Sequence, residues 1–487
     1  MSEIKLDILA HADFSGRLRA TKRCPGHAVF LTEIDRLRRE NPEGTLLLDA
    51  GDEFSANFWG GAPMVGAVSI AGTDAMTLGN HEFDRGEDFL DDCISRADFP
   101  ILCANIVRRD TGELIPGTKP WVMLQRQGVK IGVLGLTTEY TPYMVTAASF
   151  APFEARSCAE AARRYIPEML SAGAEVTVVL AHIPFYREEG GGISGELREL
   201  LDSIPHVDVC MGGHIPGDYA AVLDNTVIMK GGFGGVSLCH AELWFDTDTR
   251  QVVRRAGRVH LTDWALAPKA EYKRYADSVT DEFKDFFEKP LAVTDERWQI
   301  RLSYETRLGN YFAQCVQEAA EADFAYMNAT SAGGTIEPGT VTAEDITAVM
   351  GFNDPILKTR MTGAQIWELF ELVYVPERYG NNAGLMFSGI IVHVDHTKPA
   401  YNKIQAITMK DGTPIDLDRL YTVASSEYMS SGGNDTAQVA GKVEWQEIGV
   451  RVYDAIFASL EKYGRMELSG EQRMHAIGTP ENDNAPF

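Results

Sequence analysis

Five short segments in the first half of the chain set oxygen and nitrogen side chains directly after apolar runs or turns. They are His11-Ala-Asp13-Phe-Ser15-Gly16, Gly51-Asp52, Gly79-Asn80-His81-Glu82-Phe83-Asp84, Ala181-His182 and Gly212-Gly213-His214-Ile215-Pro216. Carboxylate, imidazole and amide together suit Zn²⁺, Mn²⁺, Fe or Ni²⁺ better than Ca²⁺, because imidazole is a softer donor than oxygen. The chemistry open to such a set is metal-assisted hydrolysis, in which the ion activates water and clamps the oxygens of the group being transferred. Singly, the segments are ordinary. A Gly-Asp pair is a common turn, and a histidine after a strand is commonly a satisfied core residue. Gly79–Asp84 differs, since a plain loop has little reason to carry an amide, an imidazole and two carboxylates side by side.

Those segments need a scaffold that brings strand ends to one edge. Ile4–Ala10, Thr45–Leu48, Lys130–Leu136, Glu175–Leu180 and Val207–Met211 read as buried strands, and Gly26–Arg39 and Cys158–Ala172 between them show helical spacing. Short apolar runs alternating with helices predict a layered α/β domain. AEYKRYADSVTDEFKDFFEK, from Ala270 to Lys289, reads as a charged amphipathic helix stopped by Pro290, since proline cannot continue a helix. This divides the chain into a first domain over 1–267, a connector over 268–291 and a second domain over 292–487. The second domain opens with a helix near Gly309–Ala322 and includes strands at Gly389–Val394 and Leu420–Ala424. The tail after Gly478 is expected to fray.

At 487 residues the chain exceeds one ordinary core, so two or three domains are the natural reading. A net charge of -25 argues against nucleic acid as a partner, because phosphate backbones need a basic surface. A small phosphorylated substrate stays open, since a bound cation reverses the field locally. No run reaches the length of a membrane span. The start, MSEIKLDILAHAD, lacks the basic and apolar regions of a signal peptide, so a cytoplasmic location is expected. The seven cysteines are scattered and never spaced CxxC, so they are expected to be reduced and buried. The glycines of Glu188–Gly195 come without a phosphate-loop pattern and read as a mobile loop. No serine-hydrolase elbow is present.

As an ordered set, the five segments resemble the calcineurin-like metallophosphoesterases. The second domain resembles the C-terminal domain of the 5′-nucleotidase family through Glu305-Thr-Arg-Leu-Gly309-Asn310, Asn328, Gly351-Phe352-Asn353-Asp354, Met361-Thr-Gly363, Phe387-Ser-Gly389 and Ser431-Gly-Gly433. The resemblance implies a four-layer β-sandwich flanked by helices, followed by an α/β 5′-nucleotidase domain. It further implies two divalent metal sites sharing Asp52, the second completed by Asn80, His182 and His214. Of the first site Asp13 remains, but Ser15 stands where the family has histidine and Pro216 where it has a last ligand. His11 falls on the same strand face as Asp13 and is expected to pack in the core. His81 would stabilise developing charge, with Asp84 orienting it.

In the second domain the resemblance assigns Phe352 and Tyr428 to stacking on a base, with Asn328 and Asn434 beside the substrate. The family's pocket arginines are replaced: Asn328-Ala-Thr-Ser-Ala-Gly333 lacks one, and Tyr304 stands at the other. A planar guanidinium fork has no equivalent in glycine or tyrosine. These departures favour a less phosphorylated or differently shaped substrate than the family's nucleoside monophosphates. Hydrolysis of a nucleotide-like phosphate ester is the activity implied. A binding protein that kept the fold and one metal is the competing class.

Overall fold

The computed structural model describes residues 3–54, 59–300, 305–375, 384–468 and 472–478; Tyr304 and the tail after Gly478 lie outside them. The chain divides into two compact units, 1–282 and 283–486.

In the first unit two six-stranded sheets lie face to face. One has the order Gln251–Leu261, Ser237–Asp246, Glu3–His11, Thr45–Asp49, Ala75–Thr77, Ile101–Leu102. The other runs Tyr219–Leu223, Thr226–Lys230, Val209–Gly212, Val176–His182, Val129–Thr137, Trp121–Arg126. Central parallel strands are covered on both faces, which is why their sequences are continuous apolar runs rather than alternating ones; every residue of Thr45–Asp49 and Val176–His182 is buried. Leu6, Ile8, Leu46 and Leu48 meet Ile131, Val133, Val178 and Met211 between the sheets. Helix Cys158–Ser171 covers the far side of the second sheet, laying Ala162, Ile166 and Met169 against Leu134 and Val179. With helix His27–Arg38 burying Phe30, Ile34 and Leu37, the result is a layered α/β unit whose strand order places several carboxyl ends along one edge.

The register fixes that edge. His11 pairs with Asp49, and Thr137 with His182, which in turn neighbours the end of Val209–Gly212. The loops carrying Asp13, Asp52, His182 and His214 therefore leave at strand ends, where ligand sites form in α/β folds. The half-exposed hairpin strands Tyr219–Leu223 and Gln251–Leu261 carry weaker apolar patterns and are set by pairing with their neighbours.

The helix expected over Ala270–Lys289 is interrupted. It runs Ala270–Thr280, passes a 3-10 turn at Asp281–Phe283 and resumes over Lys284–Phe287. The Thr280 hydroxyl donates to the Ala276 carbonyl at 2.9 Å, a back-bond that loosens the helix ladder. The first half belongs to unit one, where Tyr272 and Tyr275 donate to the Asp35 carboxylate and the Pro63 carbonyl, each at 2.6 Å. Pro290 opens strand Pro290–Thr294.

The second unit is built on a five-stranded sheet ordered Leu385–Ser388, Phe324–Asn328, Leu420–Ser426, Pro355–Thr362, Gln446–Arg451. One face packs on Leu308, Phe312 and Val316 of helix Arg307–Ala320 and on Ile456 and Leu460 of helix Val452–Tyr463. The other packs on Ile366, Leu369 and Phe370 of helix Gly363–Val373, whose start is fixed by a capping box between Thr362 and Gln365. Among the described residues no helix is long and apolar enough to cross a membrane.

Asp7 gives this fold a measurable pH dependence. Burial raises its pKa, but hydrogen bonds from His240 (2.6 Å), Lys5 (2.8 Å) and Asn41 (2.7 Å) outweigh burial and hold it at about 2. A depressed carboxylate pKa contributes stability that is fully present above the unfolded value and is lost as pH falls through the folded one. Urea unfolding of wild type and Asp7→Asn should differ most above pH ~4 and converge as pH falls towards ~2. A gap that widened on acidification would refute this account.

Candidate metal centre

The loops at the strand edge adopt backbone conformations that the chain does not favour by itself. Asp13, Asp52 and His214 have φ of 58°, 63° and 72°, in the left-handed region that costs an L-residue roughly 1–2 kcal/mol. Glu82, in the 3-10 turn His81–Phe83, holds one of them in place. Its carboxylate accepts the N–H groups of Asp52 (2.9 Å), Glu53 (2.7 Å), Phe54 (2.8 Å) and Gly79 (2.5 Å). Charge-assisted bonds of this kind are about twice as strong as neutral ones. Gly79 must be glycine, because a Cβ there would lie 2.2 Å from Asp52 Oδ1.

Around this anchor the side chains of Asp52, His182 and His214 converge, one donor atom from each lying within 4.8 Å of the others. His182 Nδ1 donates to the Ala50 carbonyl at 2.7 Å, which fixes the tautomer, as backbone carbonyls do for metal-bound histidines. Its Nε2 is buried, makes no hydrogen bond and stands 3.0 Å from Asp52 Oδ2. An imidazole nitrogen at that distance from a carboxylate oxygen has the spacing of two ligands on one ion. Burial opposes charge on both groups, yet their attraction overrides it, lowering the Asp52 pKa and raising that of His182. His214 is instead pushed down to about 3 by burial and by His182, which favours the neutral imidazole, the form that can ligate a metal. Asn80 Oδ1 lies 2.8 Å from His214 Nδ1, and its buried Nδ2 has no partner. The donor set therefore fits a divalent transition metal.

Asp13 stands beside this group. Its Oδ2 accepts the His214 N–H at 3.1 Å, and burial, reinforced by the Asp52 charge, raises its pKa. Ser15 Oγ donates to the Asp52 carbonyl at 3.3 Å, and Pro216 has no donor to offer.

His81 is the open member of the cluster, with 26% of its side chain exposed against 0% for His182. Its N–H donates to Asp52 Oδ1 at 2.9 Å, and its Nδ1 bonds Asp84 Oδ2 at 2.9 Å. Burial lowers its pKa, but the Asp84 and Asp52 carboxylates lift it to about 10. Those two carboxylates favour the protonated ring.

In the second unit Asn328 ends strand Phe324–Asn328, and Tyr428 lies in the helical turn Glu427–Ser430 that follows the parallel strand Leu420–Ser426. Phe352 immediately precedes strand Pro355–Thr362, which pairs Ile356 with Ser426. Topology thus brings Asn328, Phe352 and Tyr428 to one sheet edge. Tyr428 and Asn434 are joined by a 3.1 Å hydrogen bond, and Asn328 Nδ2 donates to Thr330 Oγ1 at 2.7 Å.

Sequence reasoning passed over Glu82 as an anchor, and over Asp49 and Glu53. Their signal was present: three carboxylates next to a buried strand or a Gly turn. Glu82→Gln replaces an acceptor oxygen with an amide that points N–H at N–H. It should cost about 3 kcal/mol or more in urea unfolding and lower the metal content of the folded protein; a change under ~0.5 kcal/mol would remove Glu82 from this role.

Residues 291–441 match the model of the 5′-nucleotidase C-terminal domain. A 5′-nucleotidase of Vibrio vulnificus (strain CMCP6) is 26% identical over 518 residues, spanning 96% of this chain and 92% of the relative. Among solved structures, a 5′-nucleotidase precursor from Thermus thermophilus superposes with a TM-score of 0.85 at 20% identity, covering 98% of this chain and 100% of the other. A sulfate thiohydrolase from the same species, solved with glycerol, gives 0.77 at 17% identity over 99% and 98%. These structural likenesses establish the shared fold. The second half of the chain carries a 5′-nucleotidase C-terminal domain, and full-length 5′-nucleotidases are among the proteins the whole chain is similar to.

Proposed function

We propose that the protein hydrolyses a phosphate ester of a nucleotide or nucleotide-like small molecule, with a divalent cation held by Asp52, Asn80, His182 and His214. The observation that carries this reading is the convergence of Asp52, His182 and His214 beside a histidine cation, His81, that is more exposed than they are. A fold that also serves a sulfate thiohydrolase does not fix the chemistry; the site must.

A divalent ion in this position would act as a Lewis acid on a phosphoryl oxygen and make water nucleophilic. The chain supplies the rest. Asp84 fixes the His81 ring through Nδ1 and, with Asp52, keeps it protonated. The opposite edge of the ring presents positive charge to the leaving oxygen, which stabilises the transition state without reorganisation. The Ala50 carbonyl holds His182 in the ligating tautomer. Asp13 fixes the loop of His214 through its backbone N–H. Phe352 and Tyr428 are the residues we assign to a flat, base-like group, supported by their place at one sheet edge.

After chelation and reloading with Mn²⁺ or Zn²⁺, phosphate release from nucleoside monophosphates and from a generic phosphomonoester tests this. Activity should require the ion. His81→Ala should lower kcat by about 10²–10⁴-fold while metal content per chain stays unchanged. Phe352→Ala should raise KM for the nucleotide and leave the generic ester unaffected. Thermal stabilisation by nucleotide with no phosphate released under any divalent ion would sink the hydrolase reading in favour of a binding protein.

A further inference from the structure

A second cluster of metal-ligating side chains lies behind the Asp52 centre, on the helix-covered face of the first sheet. His11 and Asp49 are paired neighbours at the ends of parallel strands, and Glu53 follows Asp52 on the next loop. His11 Nδ1 is 3.4 Å from Glu53 Oε1, and His11 Nε2 is 3.9 Å from Asp49 Oδ2. One donor atom from each lies within 4.8 Å of the others. All three are buried, at 4%, 0% and 1% exposure.

We propose that His11, Asp49 and Glu53 bind a divalent transition-metal ion, distinct from the one assigned to Asp52, His182 and His214. Two buried carboxylates beside one imidazole need a compensating charge. Among the described residues no lysine or arginine pairs with Asp49 or Glu53. Asp49 Oδ1 accepts the Gly51 N–H at 2.9 Å, but its Oδ2 has no hydrogen-bond partner, and neither has His11 Nδ1. Glu53 Oε1 accepts only a 3.2 Å bond from the Phe14 N–H. The unpartnered His11 Nδ1 faces Glu53, and the unpartnered Asp49 Oδ2 faces the other ring nitrogen of His11.

A second group in the same unit serves as a control. Asp7, His240 and Glu242 also converge, but Lys5 reaches Asp7 and Glu242 at 2.8 and 2.7 Å, and Arg258 reaches Glu242 at 2.6 Å. That group carries its own cations and needs no ion. The His11 cluster carries none. It also borders a cavity lined by His11, Glu53, His27, Phe14, Phe30 and Met64. His27 Nε2 is engaged by the Ala67 carbonyl at 3.1 Å, while its buried Nδ1 has no partner. A water in that cavity would complete a mixed nitrogen–oxygen coordination of the kind zinc takes.

Such an ion would be positioning rather than catalytic. Glu53 binds the backbone of the Asp13 loop through Phe14, and Asp49 binds that of the Asp52 loop through Gly51. One cation would therefore pin both left-handed loops from behind. It would also place positive charge near the centre whose usual first site carries Ser15 and Pro216.

Crystals of the full chain grown with Zn²⁺, with anomalous diffraction recorded across the zinc edge, test this without any substitution. A peak among His11, Asp49 and Glu53 is expected, beside the one at Asp52. Plasma mass spectrometry of chelated and Zn²⁺-reloaded protein should lose one ion per chain in the isosteric variants Asp49→Asn and Glu53→Gln. In the His182→Ala background, an ion should remain and should disappear when Asp49→Asn is added. An anomalous peak at the Asp52 centre alone, with stoichiometry indifferent to Asp49→Asn, would overturn the second site and assign protons to its carboxylates, leaving the proposed hydrolysis intact. A peak at the His11 cluster alone would do the reverse.

Discussion

Four backbone N–H groups from two separate loops point at the single carboxylate of Glu82. Each would otherwise be a buried, unsatisfied donor, and each costs on the order of 1–3 kcal/mol if left so. Their convergence closes the Gly51–Phe54 loop against the Gly79–Asp84 turn. It also sets Asp52 at a positive φ that few aspartates adopt unaided. The geometry of the metal centre depends on this anion. Without it, Asp52 has no fixed relation to His182 or to the His81 N–H, and the cluster disperses.

The same logic of paired and unpaired charge runs through the first unit. The Asp7 group is neutralised from within by Lys5 and Arg258, and it contributes ordinary stability to a sheet edge. The Asp52 group is short of positive charge, and His81 supplies only part of it. Close approach of these groups is possible because glycines border them: a Cβ on Gly213 would meet His182 Nδ1 at 2.9 Å, as one on Gly79 would meet Asp52. Anionic side chains gathered with imidazoles in a buried interior form a site suited to a cation. The chain's net charge of -25 is compatible with a phosphorylated substrate, because a cation held there would reverse the field locally.

The second unit solves a different problem. Its sheet is covered by helices on both faces, and the residues assigned to ligand binding stand at one edge: Asn328 at the end of one parallel strand, Tyr428 just beyond its neighbour, Phe352 just before an antiparallel one. Strand direction, not sequence separation, decides their company. The Tyr428–Asn434 hydrogen bond and the adjacent positive φ of Asn434 and Asp435 give that edge a defined shape. The ring of Tyr428 lies so close to Gly433 that a Cβ there would approach it to 2.5 Å.

Much of this was legible in the chain itself. Runs such as Thr45–Leu48 and Glu175–Leu180 are apolar on both faces, a pattern that central parallel strands require, and the donors follow them directly. Helices Gly26–Arg39 and Cys158–Ala172 were legible to within a residue or so, because an amphipathic period is a local property. The extended helix from Ala270 to Lys289 was not: its break at Thr280 depends on a hydroxyl back-bond and on which half packs against Asp35 and Pro63. Nor could sequence rank the carboxylates. Asp49, Asp52, Glu53, Glu82 and Asp84 are alike in composition, and their roles diverge only through what each one faces. Asp52 faces an imidazole, Glu82 faces four amides, Asp84 faces His81, and Asp49 and Glu53 face His11 with no lysine or arginine beside them among the described residues. Residue types and spacing determined that this chain would present metal donors at a sheet edge. Only the tertiary structure decided which carboxylate binds backbone and which is left for a cation, because electrostatic and hydrogen-bond energies depend on distances between segments far apart in sequence.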